Sequence, residues 1–126
     1  MKVAEILHTD VPTASPSEMA STAWETMNER ETDYLVVVRD GAVVGLVSRS
    51  DLGGPKGGAH RRMGRRIADL MHREVVTATP GTDVRRAASL MRRHRLGCLP
   101  VVQRHRLVGV VTVSDLLALL ERRLSS

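Results

Sequence analysis

Apolar residues fall into two alternating rhythms along the chain. In TATPGTDVRRAASLMRRHR (residues 77–95), Val84, Ala87, Ala88 and Met91 recur at i, i+3, i+4 and i+7, one stripe of an amphipathic helix. Thr82, behind Pro80, is the expected N-cap. CLPVV and RLVGVVTV then flank the polar QRH, which predicts two strands joined by a tight turn. YLVVV, RDG and AVVGLVS repeat that pattern earlier. Strands so uniformly apolar are covered on both faces, so helices are expected to sandwich a small sheet. SDLLALLERRL closes the chain as a helix with Leu116, Leu119, Leu120 and Leu124 on one face. GGPKGGAHRRMGRR, by its Gly and Pro, reads as a flexible linker over residues 53–66.

The two rhythms are copies of one another. Shifted by 64 positions, residues 3–52 align with 67–116 without a gap, and 17 of the 50 pairs are identical, well above the three or four of chance. The matches include His8/His72, Gly45/Gly109, Ser50/Ser114 and Asp51/Asp115. Two copies are too few for a solenoid, so they are expected to pack about a pseudo-twofold axis. The expected organisation is a first repeat at 1–52, a Gly/Arg-rich linker at 53–66 and a second repeat at 67–126, each running short helix, strand, helix, strand, strand, helix. Both repeats end alike, in GLVSRSDL and GVVTVSDL. Ser/Thr-x-x-Asp at a strand-to-helix junction is a capping arrangement in which a hydroxyl accepts from orphan N–H groups and the carboxylate suits the positive helix end.

Composition narrows the functions open to such a fold. Phe is absent and there is one Trp and one Tyr, so the core is aliphatic and a base-stacking nucleic-acid platform is disfavoured. One cysteine, Cys98, excludes an internal disulfide and suits a reducing compartment. No apolar run approaches the roughly 18 residues of a membrane span and none near the start has signal-peptide character, so a soluble cytoplasmic protein is expected. The net charge of +5 is uneven: −5 over 1–52, +5 over 53–66 and +5 over 67–126, with 17 Arg and 2 Lys. That asymmetry suits a solvated surface, nucleic-acid backbone contact, or head-to-tail pairing of two chains. No nucleophile with a base, metal-ligand cluster or Walker-type loop stands out, so no enzymatic activity is expected.

VTATPGTDVRRAASLMRRHRLGCLPVV with LVGVVTVSDL, and PTASPSEMASTAWETM with YLVVV and VVGLVSRSDL, resemble a tandem pair of CBS (cystathionine β-synthase) domains, a Bateman module. The resemblance covers nearly the whole chain. It implies an α/β fold, an α+β sandwich of two repeats, and a non-catalytic regulatory module. Such a module requires no cofactor and binds AMP, ADP, ATP or S-adenosylmethionine in clefts between the repeats. It also implies a homodimer through helix faces, with Leu117 extending the closing leucine stripe, and output to a separate effector protein. A dimerisation module with empty clefts is the alternative, and RNA or DNA binding a distant third.

An ionised carboxylate accepts from both ribose hydroxyls at once, which makes Asp51 and Asp115 the candidate ribose residues, with Ser48, Ser50, Thr112 and Ser114 donating to phosphates. The resemblance assigns the adenine slot facing Asp51 to Val75, Val76, Gly97, Cys98, Leu99 and Pro100. It assigns the slot facing Asp115 to Val11, Pro12, Asp33, Tyr34, Leu35 and Val36. Asp33 would add a negative charge beside Asp115, so Asp51 is expected to dominate nucleotide binding and the Asp115 cleft to take a less anionic ligand. His8 and His72 invite a metal reading but end short helices, where His commonly satisfies a last carbonyl. Trp24, where the second repeat has Ala88, serves helix packing or a dimer surface, the second being favoured. Arg61, Arg62, Arg65 and Arg66 join the repeats or partly clamp ligand phosphates.

Overall fold

The computed structural model describes residues 1–54 and 56–124; Pro55 of the expected linker and residues 125–126 of the second repeat lie outside the described residues. The chain divides into two compact units, Val11–Val75 and Met1–Asp10 with Val76–Ser126. These are not the sequence repeats. The opening segment of each repeat, residues 1–10 and 67–75, is built into the unit that holds the other repeat's hairpin.

In the Val11–Val75 unit the elements are β1 (Thr13–Ala14), α1 (Ala20–Glu29), β2 (Tyr34–Arg39), β3 (Ala42–Ser48), α2 (Gly58–Arg62) and α3 (Ile67–Leu70). β1 runs parallel to β2, and β2 antiparallel to β3, with Tyr34 opposite Ser48. Asp40 and Gly41 both have positive φ, the type I′ turn whose twist matches a hairpin. The core joins Ala20, Ala23 and Met27 of α1 to Leu35, Val37, Val47, Leu52 and Ile67. Leu35, Val36 and Val37 are all fully buried, so both faces of β2 are covered, as the apolar run predicts.

The expected flexible linker carries structure instead. α2 packs there because Arg62 lies flat over Trp24, 4.0 Å from the ring centroid, and donates from Nη1 to Leu52 O at 3.0 Å and Gly54 O at 3.2 Å. Arg49 also lies over Trp24, at 5.2 Å, and ties Asp33 Oδ1, Asn28 Oδ1 and Met27 O together. Trp24 is therefore half-buried and covered by two guanidinium groups, which is helix packing, the first of the two roles open to it from the sequence. Farther along, Arg65 O accepts from Ala20 N at 2.8 Å, satisfying an orphan donor at the start of α1, where Met19 makes no side-chain cap.

The other unit opens with a 3₁₀ turn, Val3–Glu5, followed by α4 (Val84–His94), β4 (Cys98–Gln103), β5 (Arg106–Thr112) and α5 (Val113–Leu124). β4 and β5 pair antiparallel around Arg104–His105, again both at positive φ. A register shift at Val101/Val102 repeats that at Val37/Val38. The N-cap of α4 is Asp83, which accepts from Arg85 N at 2.8 Å, not Thr82, whose Oγ1 accepts from Thr79 N. That bond holds the Asp83 carboxyl below the usual carboxylate range. Among the described residues β1 has no strand counterpart in this unit; the parallel bridge from Ala78 to Val101 stands in its place. Val3, Ala78, Ala87, Met91, Leu99, Val101 and Val111 form the core, with Val3 N bonded to Thr82 O at 2.8 Å. Mixed helices and small sheets make this an α/β fold, as expected. No helix among the described residues is long and apolar enough to cross a membrane.

Replacing Arg62 with Ala uncovers Trp24 and leaves two carbonyls without their donor. Thermal denaturation is expected to show a loss of about 1–3 kcal/mol, with Arg61→Ala as a milder control.

Candidate functional site

The shared ending of the two repeats is a capping box in both. Asp115 Oδ2 accepts from Thr112 N at 2.7 Å and Thr112 Oγ1 at 3.0 Å, while Asp115 N donates to Thr112 Oγ1 at 3.2 Å. This opens α5. Asp51 Oδ2 likewise accepts from Ser48 N at 2.8 Å and Ser48 Oγ at 3.0 Å, and Asp51 N returns to Ser48 Oγ at 3.3 Å. That box closes one turn, Leu52 N to Ser48 O, before Gly53 at φ +96 ends it, so the first repeat's closing helix is cut short at the start of the Gly-rich stretch, as its glycines predict.

Each aspartate also meets a histidine, and the pairing is exchanged. His72 Nε2, from the second repeat, lies 2.8 Å from Asp51 Oδ1; His8 Nδ1, from the first, lies 3.1 Å from Asp115 Oδ2. Side-chain bonding to a helix-end carbonyl, the expectation for both histidines, is replaced by these contacts. Backbone bonds place them: His72 pairs with Leu46 in both directions at 2.9 and 3.0 Å, and His8 with Val110 at 3.0 Å each way. The approach passes over Gly45 and Gly109. A Cβ at Gly45 would stand 2.5 Å from Met71 Sδ and 3.1 Å from His72 O; one at Gly109 would stand 2.7 Å from Leu7 Cδ1 and 2.8 Å from His8 O. Only glycine admits the second strand so closely.

The remaining candidates fall into several environments. Ser50 Oγ lies 3.1 Å from Ser48 Oγ, and Ser114 is exposed in the first turn of α5. The side chains of Leu35 and Leu99 lie in the two cores. Val36, Cys98, Pro12 and Pro100 are buried; Val11, Val75, Val76 and Tyr34 are half-buried. Burial pushes the Cys98 thiol up to about 12, which keeps it protonated and unreactive. Gly97 is exposed, and a Cβ there would meet open space, so close packing does not require glycine at this position. Asp33 is exposed but carries its own counter-charge, Arg49 Nε at 2.9 Å, so the charge counted against a phosphate ligand is already paired. The linker arginines are engaged as well: Arg61 Nε donates to Asp51 O at 2.8 Å and Arg66 Nη1 to Ser17 O at 2.6 Å. With Arg62 against Trp24, the expected clamp has lost its buried member.

The CBS-domain family model matches residues 3–52 and 67–122, and the chain belongs to that family. It is 27% identical over 114 residues to the CBS domain-containing protein YhcV of Bacillus subtilis, covering 90% of this chain and 81% of that one. Inosine-5′-monophosphate dehydrogenase of Thermoplasma acidophilum is 33% identical over 113 residues, 89% of this chain but 22% of the enzyme. Among solved structures, the CBS domain pair of protein MJ0100, in complex with 5′-methylthioadenosine and S-adenosyl-L-methionine, superposes with a TM-score of 0.85 at 26% identity, covering 98% of each chain.

Gly109→Ala forces the His8 backbone away from β5. Denaturant unfolding is expected to show a loss of about 1–3 kcal/mol, whereas Gly97→Ala stays within about 0.5 kcal/mol.

Proposed function

We propose that the chain is a non-catalytic sensor module for adenine nucleosides or nucleotides, of the class of AMP, ADP, ATP and S-adenosylmethionine, that passes its state to a separate effector protein. One observation carries the reading: the same carboxylate is presented twice, with side chains 13% exposed at Asp51 and 22% at Asp115, and in each a capping box holds Oδ2 and so fixes where Oδ1 points. A fixed, partly dehydrated carboxylate suits a vicinal diol, because it accepts from both hydroxyls and is already oriented when they arrive. The adenosine-containing ligands of the MJ0100 domain pair support that choice. Ser48 and Ser50 stand beside Asp51 as phosphate donors, and Thr112 and Ser114 are the corresponding hydroxyls at Asp115.

The module acts as a homodimer. A groove of about 510 Å³ runs between α4 and α5, lined by Val84, Ala88, Leu116, Leu119 and Leu120 with Asp83, Arg85 and Arg123 at its margins. α5 has no fully buried residue, and Leu117, Leu120 and Leu124 are 59%, 52% and 77% exposed. An apolar helix face left so open is the kind that a second copy covers.

In a thermal-shift series with AMP, ADP, ATP and S-adenosylmethionine, at least one ligand at a hundred times its Kd should stabilise the protein by about 2.7 kcal/mol, several degrees in Tm. Asp51→Asn with Asp115→Asn should abolish the shift without lowering the unliganded Tm by a comparable amount. No shift with any of the four leaves a purely structural dimerisation module. Light scattering should give about twice 13.8 kDa, and Leu120→Asp, a change at an exposed site, should return a folded monomer.

A further inference from the structure

We infer that His72 makes the Asp51 site selective for phosphate-bearing nucleotides, while the Asp115 site accepts nucleosides without a phosphate; the inference rests on the nucleoside reading of both aspartates. The two carboxylates differ in which oxygen is taken. At Asp115 the capping box and His8 Nδ1 all converge on Oδ2. At Asp51 the capping box takes Oδ2 and His72 Nε2 takes Oδ1 at 2.8 Å, so both oxygens are occupied.

A ribose diol therefore reaches Asp115 Oδ1 without displacing the histidine, which sits on Oδ2, but reaches Asp51 Oδ1 only by turning the imidazole away. That motion is local. The His72 side chain is 69% exposed, and its backbone is pinned to Leu46 by two hydrogen bonds, so the ring swings about its side-chain torsions and stays within reach of the site. The displaced N–H has lost a bond to a charged acceptor, and a ligand that offers no replacement bears that loss. A phosphate on the same ligand supplies an anionic acceptor; an uncharged nucleoside does not. Selectivity thus arises from one side chain, and it falls on one site because the equivalent His8 sits on the oxygen already committed to Thr112.

Calorimetric titration of the full chain with adenosine and AMP tests this in single-site backgrounds, with circular dichroism confirming that each variant folds. In Asp115→Asn, AMP is expected to bind at least about tenfold tighter than adenosine, and adding His72→Ala should narrow the gap to about twofold by raising adenosine affinity and lowering that of AMP. In Asp51→Asn the two ligands should bind within about threefold of one another, and His72→Ala should change neither. Should Asp115→Asn not fold, imidazole NMR signals of His72 in the unaltered protein serve instead: AMP should move them and adenosine at equal occupancy of Asp115 should not. An AMP preference that His72→Ala leaves intact, adenosine preferred at Asp51, or His72 signals that respond equally to both ligands would overturn the inference and leave the nucleoside reading standing. Failure of the unaltered protein to bind either ligand would remove both.

Discussion

Everything about the two candidate sites depends on how closely one stretch of backbone passes another. The segments at Leu7–His8 and Met71–His72 lie as short antiparallel pairs along β5 and β3, and each crosses the strand where it lacks a side chain, at Gly109 and Gly45. Move the segment outward by a methyl group's thickness and the backbone bonds to Val110 or Leu46 lengthen beyond use, the histidine leaves its aspartate, and the carboxylate loses its second neighbour. The glycine in the shared GLVS/GVVT ending and the aspartate that follows are therefore parts of one device: the first admits a strand and the second receives what the strand carries.

The aspartate serves folding and chemistry with different oxygens. Oδ2 closes a turn in both repeats, an ordinary use of Asp three residues after Ser or Thr, and that use orients the remaining oxygen. Divergence between the repeats follows from what comes next. After Asp115 an uninterrupted leucine-rich stretch propagates the nucleated turn into α5. After Asp51 the chain meets Gly53 and Gly54 at positive φ and folds back through α2 so that Arg62 can cover Trp24. One duplicated nucleus thus yields a long exposed helix in one unit and a tightly bonded turn in the other.

How much of this the sequence made legible divides along the range of the interactions. Hairpins, their polar two-residue turns, the helix stripe at Val84, Ala87 and Met91, and both capping boxes are written within a few consecutive residues, and the 64-residue duplication doubles each signal. The histidine–aspartate contacts are not written that way. Alignment of the repeats shows His8 beside Asp51 and His72 beside Asp115 as members of the same copy, while the fold pairs each with the other copy's partner. The repeated His at matching positions was the available signal, but nothing local says what it reaches. Likewise the Gly-rich 53–66 stretch reads as a linker on propensity alone, because the Arg62–Trp24 stack that orders it joins residues far apart in the chain. Leu35 and Leu99 could not be told from their strand neighbours by pattern, since both strand faces are apolar.

The exchange of opening segments sets a timetable for synthesis. Val11–Val75 is an unbroken stretch, so every contact within that unit is available as soon as Val75 has cleared the ribosome. The first ten residues have no such completion: Val3 waits for Thr82, His8 for Val110 and Asp115, all made much later. Residues 1–10 thus emerge before that unit and are among the latest to find their place, because their partners lie beyond residue 79. A ribosome-bound chain halted after Val75 would hold a site whose Asp51 and His72 are both in hand, whereas the Asp115 site exists only once His8 has met β5 and the start of α5.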